Sequence, residues 1–467
     1  MADHRARGHV RDQPHRPDRR AVWLGTNNGL PWLPGWSNLP GLAPLLPLPV
    51  PRFTGILDAV PGTGGDVICG AGVGGTSLVY AGMLPQPSEE AFAAVFPSQV
   101  PYAELAAEHY PRALRRLRAS PIPDDILAHE RYTSTRTYLR YAQEAGASRT
   151  ERLNLCYDWD VIRAELAGTA VPSASAGEYL WGVNSGAKLS VDRTYLAQAE
   201  ATGRVTVKPL HVVTDVSAQP RGGYTVECQR IDEAGNTLER VRVLCDAVVF
   251  AAGATHTPEL LVRARDIGTL PRLNEHVGTG FGTNGDRFIV LTGLPEPTLS
   301  RQGGPPGFLA RDVPTPHGAV SMFHVPLPMP FETRSMVLLG MGKPNGFGTF
   351  HHNPLTGQVE RHWPADGDQA AGLATKHLAD RLARAAGGGI ALEVGAVRQF
   401  TVHPVGGAVL GTACDLYGRL HGHPGLYCLD GSLIPGSTGL VNPALTIAAI
   451  TERCLDTILT HDLRTVF

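Results

Sequence analysis

Three short pieces near the C-terminus constrain this chain more than any other feature. They read His403-Pro404-Val405-Gly406-Gly407, Leu429-Asp430-Gly431-Ser432-Leu433-Ile434-Pro435-Gly436 and Asn442-Pro443-Ala444-Leu445-Thr446-Ile447. Asparagine is a favoured N-cap and proline a favoured first helical residue. The third piece therefore predicts a helix from Pro443 to about Thr460, with Asn442 as its cap. The start of such a helix offers free amides and a positive dipole end, which stabilise developing negative charge. The imidazole of His403 can both take and give a proton, which suits general acid–base work. Taken alone, a histidine before proline reads as a turn residue.

A second distinctive run is Gly70-Ala-Gly-Val-Gly-Gly-Thr-Ser-Leu-Val-Tyr-Ala-Gly-Met83. Gly70, Gly72 and Gly75 satisfy G-x-G-x-x-G, with Asp66–Cys69 as a short strand before it and Glu89 or Glu90 at ribose-contact distance. A nicotinamide-binding turn would need a full helix after the glycines. Gly82 and Pro85 interrupt that helix within a few residues. The alternative is a loop whose glycines let backbone amides approach a bound cofactor closely.

Between these landmarks, residues 102–118 and 135–146 carry helical patterns, and 204–217 and 222–231 alternate as strands. Residues 246–253 read as a buried strand ending in a glycine turn, with a helix from Thr257-Pro258 to about Arg265. Residues 367–386 read as a helix inside an otherwise mixed, proline-rich stretch, and 425–430 as a short strand. Residues 1–48 differ from the rest: proline density over Leu30–Pro51 forbids regular helix or paired strand.

The chain has 467 residues, 43% hydrophobic and 18% charged, with a formal net charge of −2. This is a globular composition with no electrostatic case for nucleic acid as partner. No run of 18 apolar residues predicts a membrane span. Cys69, Cys156, Cys228, Cys245, Cys414, Cys428 and Cys454 are scattered without metal-ligand spacing, so buried thiols in a reducing compartment and no metal are expected. A cytoplasmic location is the expectation. Arg19-Arg20 before Ala-Val-Trp-Leu keeps export as the alternative.

In order and spacing, the three C-terminal pieces resemble the signature of the glucose–methanol–choline oxidoreductases. The glycine run is similar to the second flavin-contacting loop of that family's cholesterol oxidase branch. Asp192–Leu196, Glu259–Pro271 and Gly278–Gly285 extend the likeness, which covers roughly residues 50–460. The resemblance implies an α/β fold: an FAD-binding Rossmann-like domain, incomplete at its N-terminus, with an inserted α+β substrate domain containing an antiparallel sheet. The FAD-binding parts would be 49–118, 187–285 and 401–467, and the substrate-binding parts 119–186 and 286–400. FAD is the implied cofactor. Gly72, Gly74, Gly75, Thr76, Tyr80, Ala81, Met83, Val213, Asp430, Gly431, Pro443 and Ala444 would contact it. His403 and Asn442 would be catalytic, facing the flavin. The implied reaction is oxidation of a small apolar secondary alcohol, a 3β-hydroxysteroid or other sterol first, with oxygen or another electron acceptor.

The sequence also departs from the family pattern. Residues 1–48 show no strand, glycine turn and helix for the AMP half of FAD, so a truncated, frame-shifted or wrongly started reading frame is expected. A non-catalytic homologue unable to bind FAD is the alternative. Tyr80-Ala81 replaces an asparagine-glycine pair, and Gly439-Leu-Val-Asn442 is one residue longer than usual. Cholesterol oxidases place a glutamate before a Pro-Met-Pro-like run for double-bond isomerisation. Here that place holds Val325, or His324 after a one-residue shift, which makes His324 the third candidate catalytic residue.

Overall fold

A computed structural model describes residues 54–463 apart from 148, 330 and 396–398. The proline-dense lead-in over 1–48, and the missing unit expected there, lie outside the described residues. Six strands form the largest sheet, antiparallel throughout, in the order Ile390–Val394, Asp286–Thr292, Met336–Gly342, Gly318–Val325, Phe308–Thr315 and Thr150–Arg152. Side chains alternate across such a sheet. Ile289, Leu291, Val320, Met322, Met336 and Leu338 face one core, against the helices Thr133–Glu144 and Gln369–Ala385. Phe288, Phe323, Val325, Leu339 and Met341 face another, which also holds Met83, Leu155, Val402 and Val441. Glycine lets the second helix sit close: a Cβ added to Gly342 would lie 2.6 Å from Ala371 Cα.

A separate core collects residues from most of the chain, including Val67, Phe92, Tyr110, Phe250, Leu261, Phe281, Leu426, Leu445 and Ile450. Around it lie a parallel pair of strands (Val248–Phe250 with Leu426–Cys428), a sheet of Leu57–Val60, Asp66–Gly70 and Phe400–Thr401, and the meander His211–Ala218, Tyr224–Ile231, Thr237–Cys245. The hairpin Gly348–Asn353 and Gln358–His362 joins this core as well. Phe350 and Trp363 meet Phe281 edge-on at 5.5 and 5.9 Å. A substrate part running unbroken over 286–400 therefore does not follow the packing at 348–363.

Most expected elements form, with instructive shifts. The run over 102–118 is helical, but Leu105–His109 widens into a π turn just before Pro111, where the ring has no N–H to donate and crowds the carbonyl four residues back. The helix expected from Thr257 starts at Gly253 and carries Pro258 inside it. Its cap comes from far away: Asp430 Oδ2 accepts from Gly253 N at 2.8 Å and from Thr257 Oγ1 at 2.6 Å. The strand expected over 204–217 begins only at His211, and Thr237–Cys245 was not anticipated. The last helix is Ala444–His461 with Pro443 at the cap position. Asn442 therefore stands just before the cap, its side chain free for another use. No helix among the described residues is long and apolar enough to cross a membrane.

Candidate active site

Two strand-like segments run side by side and create the site. Gly282 and Val405 exchange backbone hydrogen bonds at 2.7 and 3.0 Å, which aligns Thr283–Asp286 with Thr401–His403. Asp286 begins a strand of the large sheet and points to the same face as Phe288. Its side chain is fully buried, and its Oδ1 lies 2.7 Å from His403 Nδ1. Its Oδ2 accepts from Val402 N at 3.0 Å and lies 2.9 Å from the Thr401 hydroxyl. A carboxylate only accepts, so His403 carries its proton on Nδ1 and leaves the Nε2 lone pair free. That lone pair faces the Asn442 amide, with Nδ2 3.1 Å away.

Asn442 reaches this place because the longer loop before it is tightly folded. Gly439 and Leu440 are consecutively left-handed, at φ 78° and 63°. The second is costly for a branched residue. Asn284, itself at φ 59°, meets that cost with hydrogen bonds. Its Oδ1 accepts from Thr438 N (2.9 Å) and Thr438 Oγ1 (3.0 Å), and its Nδ2 donates to Val441 O (2.8 Å). Asn284 and Asp286 were not among the expected site residues. The run Gly278–Gly285 that carries the family likeness ends one residue before Asp286, and the available signal is a polar pair flanking a glycine at a strand start.

The glycine run forms a loop after the expected strand Asp66–Gly70, with Gly72, Gly74 and Gly75 at φ 145°, 110° and 58°. Only a four-residue 3-10 helix, Gly75–Leu78, follows, which removes the structural basis of the nicotinamide reading. Thr76 Oγ1 accepts from Gly70 N at 3.1 Å and closes the loop. Tyr80 has a buried hydroxyl beside the Cys156 thiol, and burial pushes its pKa well up. Ala81 packs at the edge of the core that buries the Met83 side chain. Lys188, also unanticipated, donates to Leu78 O (3.0 Å), Tyr80 O (2.8 Å) and Tyr179 O. Burial lowers its pKa to about 7, while three carbonyl acceptors match the three donors of an ammonium.

The other expected contacts divide. Asp430 is occupied by the helix cap already described and by Ser432 N at 2.7 Å, so its carboxylate serves the scaffold. Gly431 follows it, its carbonyl accepting from Gly406 N at 2.9 Å. Pro443 and Ala444 open the last helix, and no side chain of the cap residue closes its first amides. Val213 lies on the meander, where Thr214 bulges out of register beside a cavity of about 680 Å³ lined in part by Asp215, Glu227, Arg240, Arg242 and Arg263.

His324 is placed differently from the expectation. It pairs with Leu338 on the helix-facing side of the large sheet, stacks on Tyr138 and lies 3.1 Å from Gln302 Oε1. Burial lowers its pKa to about 3. The strand's alternation sends Val325, not His324, to the face that holds Val402 and Val441. The structure therefore does not bring His324 together with His403 and Asn442.

Models of the GMC oxidoreductase family match residues 54–281 and 370–451. The chain belongs to the GMC oxidoreductase family. Its relatives include the cholesterol oxidase of Mycobacterium tuberculosis, 26% identical over 83% of this chain and 78% of that protein. A cholesterol oxidase of Acinetobacter baumannii is 25% identical over 48% of this chain and 42% of its own length. Among solved structures, pyridoxine 4-oxidase from Mesorbium loti aligns over 98% of this chain and 96% of its own, at 15% identity and a TM-score of 0.60. A fungal aryl-alcohol oxidase aligns over 90% and 91%, at 14% identity and a TM-score of 0.59. This GMC protein is accordingly an FAD-dependent enzyme acting on alcohols. Its residues fit that cofactor. A Cβ at Gly75 would meet nothing within 4 Å, the cap residue's side chain bonds none of the last helix's first amides, and Asn442 Oδ1 is buried without a partner among the described residues.

Proposed function

We propose that this enzyme oxidises an apolar secondary alcohol, with a 3β-hydroxysteroid as the leading class, and that His403 is its base. The line Asp286–His403–Asn442 carries the reading. FAD, which the glycine loop at Gly72, Gly74 and Gly75 and the helix start at Pro443 and Ala444, with its Ala444 N–H, would hold, supplies the hydride acceptor when bound. A substrate hydroxyl set between the two side chains donates its hydrogen to His403 Nε2 and accepts from the Asn442 amide. As the C–H bond breaks, Nε2 takes the hydroxyl proton, and the imidazolium so formed is stabilised by buried Asp286. Val402 and Val441, each next in sequence to one of the pair, share an apolar core with Phe288, Val325 and Met341, which favours a hydrocarbon substrate. Similarity to cholesterol oxidases supports the steroid over smaller alcohols.

The test is anaerobic mixing of the FAD-loaded enzyme with a 3β-hydroxysteroid, following loss of flavin absorbance. His403→Gln should keep the cofactor spectrum and slow the bleaching by about two to four powers of ten. Bleaching by short secondary alcohols but not by the steroid would overturn the substrate class. Because Val325 stands on the site face where isomerisation would call for a carboxylate, the steroid product should remain the unconjugated 5-en-3-one.

A further inference from the structure

Away from the catalytic pair, two rigid elements bring three metal-ligating side chains together. Asp58 and Cys69 are directly opposite each other in the antiparallel hairpin Leu57–Val60 and Asp66–Gly70, so their side chains share one face. His256 projects from the first turns of the helix Gly253–Asp266. One ligand atom from each of Asp58, Cys69 and His256 lies within 4.8 Å of the other two. A tetrahedral ion with bonds of about 2.0–2.3 Å needs donors about 3.3–3.8 Å apart, so the three side chains draw in on binding.

The orientation of the imidazole is a second, independent observation. His256 Nδ1 lies 2.7 Å from Glu259 Oε2, one helical turn further on, while Nε2 faces Asp58 Oδ2 at 3.8 Å. Glu259 holding Nδ1–H directs Nε2 at the cluster, where its lone pair becomes a ligand once the proton it shares with Asp58 leaves, the arrangement that orients and strengthens histidine ligands.

We infer that Asp58, Cys69 and His256 form a binding site for a borderline divalent cation of the zinc class, oriented by Glu259. Thiolate, imidazole and carboxylate together select such an ion over magnesium or calcium, which prefer oxygen alone. The fourth position is left to water. Binding releases the Cys69 thiol proton and any proton on His256 Nε2. The ion would tie the hairpin that leads into the glycine loop to the helix capped by Asp430. Local sequence could not show this, because the ligands come from distant parts of the chain.

The experiment is titration of the FAD-loaded, chelator-treated enzyme with Co²⁺, reading the thiolate-to-cobalt charge-transfer band. Zn²⁺ content after dialysis is measured alongside. One ion per chain and a band that disappears in Cys69→Ser are expected, with the band kept in Cys245→Ser, which alters a partly exposed thiol on the meander. His256→Ala should abolish retention. Glu259→Gln, which preserves the helix, should weaken Co²⁺ binding by about 10–100-fold. No retained ion in the wild-type enzyme, or a band unchanged in Cys69→Ser, would overturn the site and show that His256 is only an ion-paired imidazole. Neither result touches the alcohol oxidation assigned to His403.

Discussion

The two faces of the six-stranded sheet treat histidine in opposite ways. On one face His403 is held by a buried carboxylate through Nδ1, and its Nε2 meets the Asn442 amide. On the other, His324 is fully enclosed, touches one glutamine through Nε2 and has no partner for Nδ1 among the described residues. The first environment prepares a proton acceptor and stabilises the charge that results. The second penalises charge and keeps the ring neutral. Similar sequence context, a histidine near prolines in a glycine-rich chain, therefore carries no functional information until the facing carboxylate is known.

The sharpest way to break this contrast is to remove the charge from the first face. Asp286→Asn keeps the shape but lets the amide donate, so it weakens control of the His403 tautomer; turnover should fall about a hundredfold or more with FAD still bound. Steady-state kinetics against pH would read it, and an unchanged kcat would remove Asp286 from the site. Loosening the loop instead should cost less. Asn284→Ala deletes the hydrogen bonds that fold the 437–442 turn and should lower kcat about tenfold and stability by about 2–3 kcal/mol, seen in turnover and denaturant unfolding. Asn284→Gly, which suits the positive φ, should lose the same activity while recovering part of the stability.

The smallest effect on turnover belongs to His324→Gln, expected within about twofold of wild type; a loss near that of His403→Gln would restore His324 to the chemistry. Its signature is instead in acid. The folded pKa of about 3 lies below the ordinary 6.5, so the unfolded chain takes up a proton that the folded protein refuses. Stability present above about pH 6.5 is lost as pH falls towards 3. The substitution should remove up to about 1.4 kcal/mol per pH unit from that slope, measurable by unfolding at a series of pH values.

Much of the site was legible without coordinates. His403 and Asn442 do meet, although the extra residue before Asn442 obscured how. Gly72, Gly74 and Gly75 do form a positive-φ loop. What stayed hidden were partners held at long range: Asp286 beside His403, Asn284 beneath Val441, Lys188 pinning Leu78 and Tyr80, and Asp430 capping the helix at Gly253. Each is a polar residue in a segment whose local pattern says only strand or turn. His324 was misplaced because a one-residue shift in a strand changes its face, and linear spacing did not fix the register.

The sequence alone determined the local geometry: where glycine permits a left-handed turn, where proline stops or starts a helix, and where apolar alternation builds a sheet. These preferences reside in single residues and near neighbours. The tertiary structure alone decided which face His324 and Val325 take, which carboxylate answers His403, and which thiol, imidazole and acid gather at His256. Those outcomes depend on contacts between remote segments, whose energies exist only once the chain has closed on itself.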